Sequence, residues 1–134
     1  MKNVDFIKDN NEFQKKYGFD LADKNYDYLK FRIESLLTEE FNETINAYKN
    51  KDSEELVDGL IDMLVIIFGI LSLFDIDINK AWNEVYKANM SKVRGVKPGR
   101  EESGGVDVYK PEGWIGPDHS DNHGKFDEAF NSNN

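Results

Sequence analysis

A chain of 134 residues carrying 26 acidic against 17 basic side chains, net charge −9, suits one domain with a modest core. That charge argues against a nucleic-acid polymer as partner, because the long-range field repels phosphate chains, whereas a small metal-chelated polyanion stays compatible with it. The lack of cysteine excludes disulfides, thiol nucleophiles and cysteine-based zinc or iron–sulfur sites. No apolar leader is read in Met1-Lys2-Asn3-Val4-Asp5, and the longest apolar stretch, residues 60–74, contains Asp62 and is short for a bilayer; the expectation is a soluble cytoplasmic protein.

In chain order, residues 4–17 read as a short amphipathic helix with Phe6, Ile7, Phe13 and Tyr17 on its apolar side and Gly18 as its stop. Residues 26–50 read as one long helix. Lys49-Asn50-Lys51-Asp52-Ser53 breaks the pattern, and Ser53 followed by Glu54 and Glu55 is the expected N-cap of a second long helix, 53–74. That helix is apolar nearly all round beyond Asp58, which predicts burial on more than one side and hence a subunit interface, in a homodimer or homotetramer. A third long helix runs to about Met90 with Ala81, Trp82, Val85 and Tyr86 turned inward. From Gly95 onward Gly, Pro and polar residues dominate and regular structure is expected largely to end. The predicted organisation is a helical domain over 1–94 and a tail over 95–134, partly packed on the domain or on a partner subunit.

Acidic residues lie where apolar ones belong. In an uninterrupted helix over 26–50, Leu29, Ile33, Leu36, Glu40, Glu43 and Ala47 share one stripe at spacings of three and four. In the next helix Glu55, Asp58 and Asp62 share an arc that runs on into Val65 and Ile66. The short connection makes the two helices an antiparallel hairpin. At about 1.5 Å per residue, Glu43 falls level with Asp58 and Glu40 with Asp62, with Glu55 nearer the turn. Clustered carboxylates in a poorly hydrated cleft require a proton or a cation among them, and Mg2+ or Mn2+ takes such oxygen ligands at about 2.0–2.2 Å. One isolated pair of this kind is ordinarily a solvated helix face; two on consecutive helices, both in line with the apolar stripe, are not.

Basic residues are also unevenly placed. Lys87, Lys92, Arg94, Lys97 and Arg100 stand between Val85 and Arg100 with no acid among them. This is either a solvated helix end favoured by the macrodipole or a phosphate clamp. Asn89, on the face of Trp82, Val85 and Tyr86, is either a ligand contact or a buried structural amide. A ferritin-type di-iron bundle is disfavoured, because His119 and His123 both lie in the polar tail. A non-catalytic helical interaction module remains the alternative of a different class.

Glu39-Glu40-x-x-Glu43 followed by Glu55-x-x-Asp58 resembles the EExxE…ExxD signature of the all-α nucleoside triphosphate pyrophosphatases, the superfamily of MazG, the dimeric dUTPases and phosphoribosyl-ATP pyrophosphohydrolase. Arg32-x-x-Ser-Leu-Leu-x-Glu-Glu, Glu55-Leu-Val-Asp-Gly-Leu-Ile-Asp62, Trp82-Asn-Glu-Val, Asn89-Met-Ser-Lys92, Lys97-Pro-Gly-Arg100 and Gly113-Trp114 are similar to its small, often phage-borne MazG-like members. Two departures are the short hairpin connection and Ala88, where that pattern has Ser. The resemblance implies an all-α, MazG-like helical bundle that dimerises and ends in an extended irregular tail. It implies Mg2+, with Mn2+ as a substitute, held by Glu40, Glu43, Glu55 and Asp58; Asp62 lies beyond that motif, and the hairpin geometry makes it a further ligand or a supporting acceptor. Glu39 orients or deprotonates the attacking water, and Arg32, Lys87, Asn89, Lys92 and Arg94 are the expected substrate contacts. The implied reaction splits the α–β phosphoanhydride of a nucleoside or deoxynucleoside triphosphate, releasing a monophosphate and pyrophosphate, with phosphoribosyl-ATP as the alternative substrate.

Overall fold

Helix α1 (Phe6–Tyr17) begins where the Asp5 side chain accepts from the Lys8 amide and ends at Gly18, whose φ of +73° only glycine adopts freely. In the computed structural model, which describes residues 2–132, its hidden side is polar: Asn10 and Gln14 are buried, while Phe6, Phe13 and Tyr17 stay at least 44% exposed. Asn10 donates to the Val65 carbonyl and Gln14 donates to Asn10, so the buried amides are satisfied by each other and by the neighbouring helix.

The expected helix over 26–50 is one continuous helical run in three parts. Helix α2 (Tyr26–Lys30) passes into a π-helical segment, Phe31–Leu37, and then into α3 (Thr38–Lys49). The wider turn breaks the assumed phase of the stripe. Leu29 and Ala47 are buried as expected, but Ile33 and Glu43 turn outward and Arg32 and Thr44 turn inward. Helix α4 (Ser53–Leu73) is capped by Asp52, whose side chain accepts from the Glu55 amide; Ser53, expected as the cap, is the first helical residue. Its 21 residues are long and apolar enough by length and composition to cross a membrane, but Glu54, Glu55, Asp58 and Asp62 charge its first half. Val57, Leu60, Ile61, Leu64 and Ile67 line an exposed apolar face on it.

The chain forms two compact units, one from residues 2–78 with 123–132, the other from 79–122. The first is an all-α bundle. Its core is Leu29, Ile70, Leu73, Phe74 and Ala129, with Phe19, Tyr28, Ile66 and Phe126 around it. Phe74 is wholly buried, worth about 1.5–3 kcal/mol by apolar transfer, and stacks on Phe126 at 5.4 Å and Tyr28 at 6.3 Å. Regular structure therefore does not end with the Gly/Pro-rich stretch. Helix α6 (Phe126–Asn131) belongs to the core, because Phe126 and Ala129 supply apolar surface and the Lys125 amide closes on the Phe74 carbonyl at 2.7 Å. The second unit carries nearly all of α5 (Ile78–Met90) and an antiparallel ribbon of β1 (Val93–Arg94) and β2 (Val108–Tyr109), with Val93 opposite Tyr109. Ala88 is its buried helical residue; Trp82 and Tyr86, expected inward, are 66% and 55% exposed.

Candidate functional site

The α3–α4 hairpin owes its close packing to one pair of residues. Gly59 lies in mid-helix, where glycine costs about 1 kcal/mol against alanine. A Cβ there would stand 2.5 Å from the Thr44 hydroxyl and 3.4 Å from the Thr44 Cα, so only a glycine admits the neighbouring helix this closely. Thr44 is itself held in place: its hydroxyl donates to the Glu40 carbonyl at 2.8 Å and touches the Met63 sulfur at 3.6 Å. Glu43 adjoins Thr44 in sequence and Asp58 adjoins Gly59, which sets this close contact next to the acidic residues of both helices.

Glu40 is a carboxylate in an unfavourable place. One of its oxygens, Oε2, is buried with no hydrogen-bond partner among the described residues. Burial, then the charges of Glu43, Asp62 and Glu39, and a hydrogen bond with Glu43, push its carboxyl above the ordinary range. Asp62 is also raised, by burial and by Asp58. Glu39, Glu40, Glu43, Asp58 and Asp62 therefore form one electrostatic group spread over two helices. Glu55 stands apart in this respect: it sits exposed in the first turn of α4, with its amide held by Asp52. Among the described residues no three such side chains are arranged as a finished metal cage. The chemistry of the group nonetheless fits a hard cation, since a partnerless buried carboxylate oxygen among like charges gains most from one.

Arg32 is 6% exposed, packed on Gly69, where an added Cβ would run into its Nη2. Burial lowers its pKa, interaction with Tyr28 opposes this, and its Nε has no partner among the described residues. Lys87, Asn89, Lys92 and Arg94 all belong to the unit of residues 79–122. Lys87 pairs with Glu84 at 3.2 Å, Lys92 lies 5.6 Å over the Trp114 ring, and Asn89 and Arg94 are exposed. Sequence reasoning passed over Thr44 and Gly59; a glycine between two acids in an apolar helix was the available signal.

The family model described as phosphoribosyl-ATP pyrophosphohydrolase matches residues 6–89, which include the whole acidic hairpin and all of α5 but its last residue. No curated protein matches the chain.

Proposed function

The chain belongs to the phosphoribosyl-ATP pyrophosphohydrolase family, within the all-α nucleoside triphosphate pyrophosphatases, and from that premise we propose that it is a Mg2+-dependent enzyme cleaving a deoxynucleoside triphosphate to monophosphate and pyrophosphate. The observation that carries the reading is the buried, partnerless oxygen of Glu40 among Glu39, Glu43 and Asp62, on the hairpin that the family model covers. Glu40, Glu43, Asp58 and Asp62, with Glu55 from the start of α4, are the residues that would hold Mg2+ or Mn2+, which supplies neutralisation of phosphate oxygens. Glu39, exposed beside them, takes the proton of the attacking water. The water oxygen bonds to the α-phosphorus, the α–β bridging bond breaks, and its electron pair leaves on pyrophosphate. Lys92 and Arg94, with Lys87, Asn89 and Arg32, are assigned to the phosphate chain and the leaving group.

Phosphoribosyl-ATP is the second substrate reading, favoured by the family model's own description. Both readings break the same class of bond. A panel of nucleoside triphosphates and phosphoribosyl-ATP with Mg2+, scored for pyrophosphate against orthophosphate, tests them together; orthophosphate with a nucleoside diphosphate overturns the bond assignment, and inertness toward the whole panel favours the interaction module. We propose further that the exposed α4 face of Val57, Leu60, Ile61, Leu64 and Ile67 is covered by a second copy of the chain, in a dimer or tetramer in the cytoplasm.

A further inference from the structure

Two residues that would hold no cation themselves decide how far apart the acids of α3 and α4 stand. Resting on the metal reading above, we propose that the Thr44–Gly59 contact sets the size of cation the acidic hairpin accepts, so that it takes Mg2+ in preference to Ca2+. Thr44 and Gly59 are thus positioning residues.

Both are buried, and the Thr44 side chain fills the space that a Cβ on Gly59 would need: such a Cβ would stand 2.5 Å from the hydroxyl and 3.4 Å from the Thr44 Cα and Cβ. The hydroxyl that sets the gap is not free to turn. It donates to the Glu40 carbonyl at 2.8 Å and lies 3.6 Å from the sulfur of Met63, the neighbour of Asp62. Glu43 and Asp58 adjoin the two contact residues in sequence, so four of the acids are placed by this one approach of the helices. An aspartate carboxyl stands one methylene from the backbone. Asp58 and Asp62 therefore follow α4 closely, and a wider hairpin carries them away from Glu40 and Glu43. After burial and Glu43, Asp62 is the next group that raises the Glu40 carboxyl, so the acids already act on one another across the contact.

The distances decide which ion is sensitive to the gap. Mg2+ holds oxygens at about 2.0–2.1 Å in a near-ideal octahedron, and Ca2+ at about 2.3–2.6 Å in a looser shell, so ligands on opposite sides of the ion differ in span by about 0.4–1.2 Å. A methyl on Gly59 asks for up to about 0.9 Å of extra room, from 2.5 Å to an ordinary 3.4 Å contact, which is the same scale.

Calorimetric titration of the metal-free protein with Mg2+ and with Ca2+ tests this. In Gly59→Ala the ratio of the Ca2+ to the Mg2+ dissociation constant should fall about tenfold or more, the scale on which groups that orient metal ligands act. Thr44→Ala should keep the wild-type ratio. Gly59→Ala/Thr44→Ala should regain it, because loss of the hydroxyl clears the space for the new methyl. Should Gly59→Ala fail to fold, Gly59→Ala/Thr44→Ser, with a smaller side chain in the contact, is expected to show a lesser fall in the same direction. A wild type that prefers Ca2+, equal weakening of both ions, an unchanged ratio, or no recovery in the double Ala variant overturns this inference alone. A wild-type protein that binds neither ion overturns the metal reading as well.

Discussion

Gly59→Ala puts the spacing of the acidic hairpin to a test in which two effects oppose each other. On an isolated helix the substitution stabilises by about 1 kcal/mol. Here the new methyl would lie 2.5 Å from the Thr44 hydroxyl, about 0.9 Å short of an ordinary 3.4 Å contact. Thr44 cannot rotate away without giving up its bond to the Glu40 carbonyl, and its Cα already stands at 3.4 Å. Overpacking of this kind costs about 1–3 kcal/mol, so the net change is about 0–2 kcal/mol of destabilisation. Thr44→Ala removes the opposing hydroxyl, and the double variant should recover most of the helix-propensity gain. Urea unfolding of the four proteins at one fixed protein concentration, with EDTA present, gives the coupling energy, expected at about 1 kcal/mol or more. A Gly59→Ala protein about 1 kcal/mol more stable than wild type, or a coupling under about 0.3 kcal/mol, would refute the claim that Thr44 and Gly59 set the spacing.

Three further outcomes are expected. Mg2+ at about a hundred times its dissociation constant should add about 2.7 kcal/mol of stability, read as a higher melting temperature; Glu40→Gln should weaken this gain and abolish turnover while leaving the metal-free fold intact or firmer. Glu40 and Asp62 are raised in the folded state, so the native protein binds more protons than the unfolded chain between the ordinary carboxylate values of 4.5 and 3.8 and the raised ones. These two groups therefore withdraw stability as pH rises through that window, and melting of metal-free Glu40→Gln/Asp62→Asn should show a flatter decline toward neutral pH than wild type. Light scattering at micromolar concentration should report a dimer or tetramer, and Ile61→Asp, on the exposed apolar face of α4, should shift it toward monomer; a wild-type monomer sinks the self-association proposal.

The helices were legible where periodicity and caps agree. The break at 49–53, the glycine stop of α1 and the start of the third long helix followed from them, and carboxylates in apolar stripes pointed to the hairpin before any coordinates did. The π-helical turn was not legible, because a five-residue hydrogen-bond spacing leaves no mark in a stripe assumed to repeat every 3.6 residues; its effect was to exchange Ile33 for Arg32 and Glu43 for Thr44 on the inner side. Asn10, Gln14 and Arg32 were unreadable as buried groups for a related reason. A polar side chain goes inside only when specific neighbours satisfy or shield it, and the neighbours of these three, Val65 and Gly69, lie far along the chain. Trp114 was legible only as part of the Gly113-Trp114 element of the resemblance, because the hydrogen bonds that fix its indole come from Ala88 and Ser91, more than 20 residues earlier.

The return of α6 to the helical core bears on the order in which the protein is made. Ala129 is wholly buried beside Leu29 and Phe74, and the Tyr26 amide donates to the Ser132 hydroxyl across 106 positions of sequence. During synthesis the hairpin of α3 and α4 can pair as soon as it emerges, but the patch around Phe74 stays open until residues 123–132 have followed. A ribosome adding about 5–20 residues per second leaves that apolar patch uncovered for seconds after α4 is complete. Closing so long a loop is also a late, slow step of refolding. The last turn of helix thus acts as a latch, and a nascent chain stalled after residue 122 should present the Phe74 patch to chaperones where the finished protein does not.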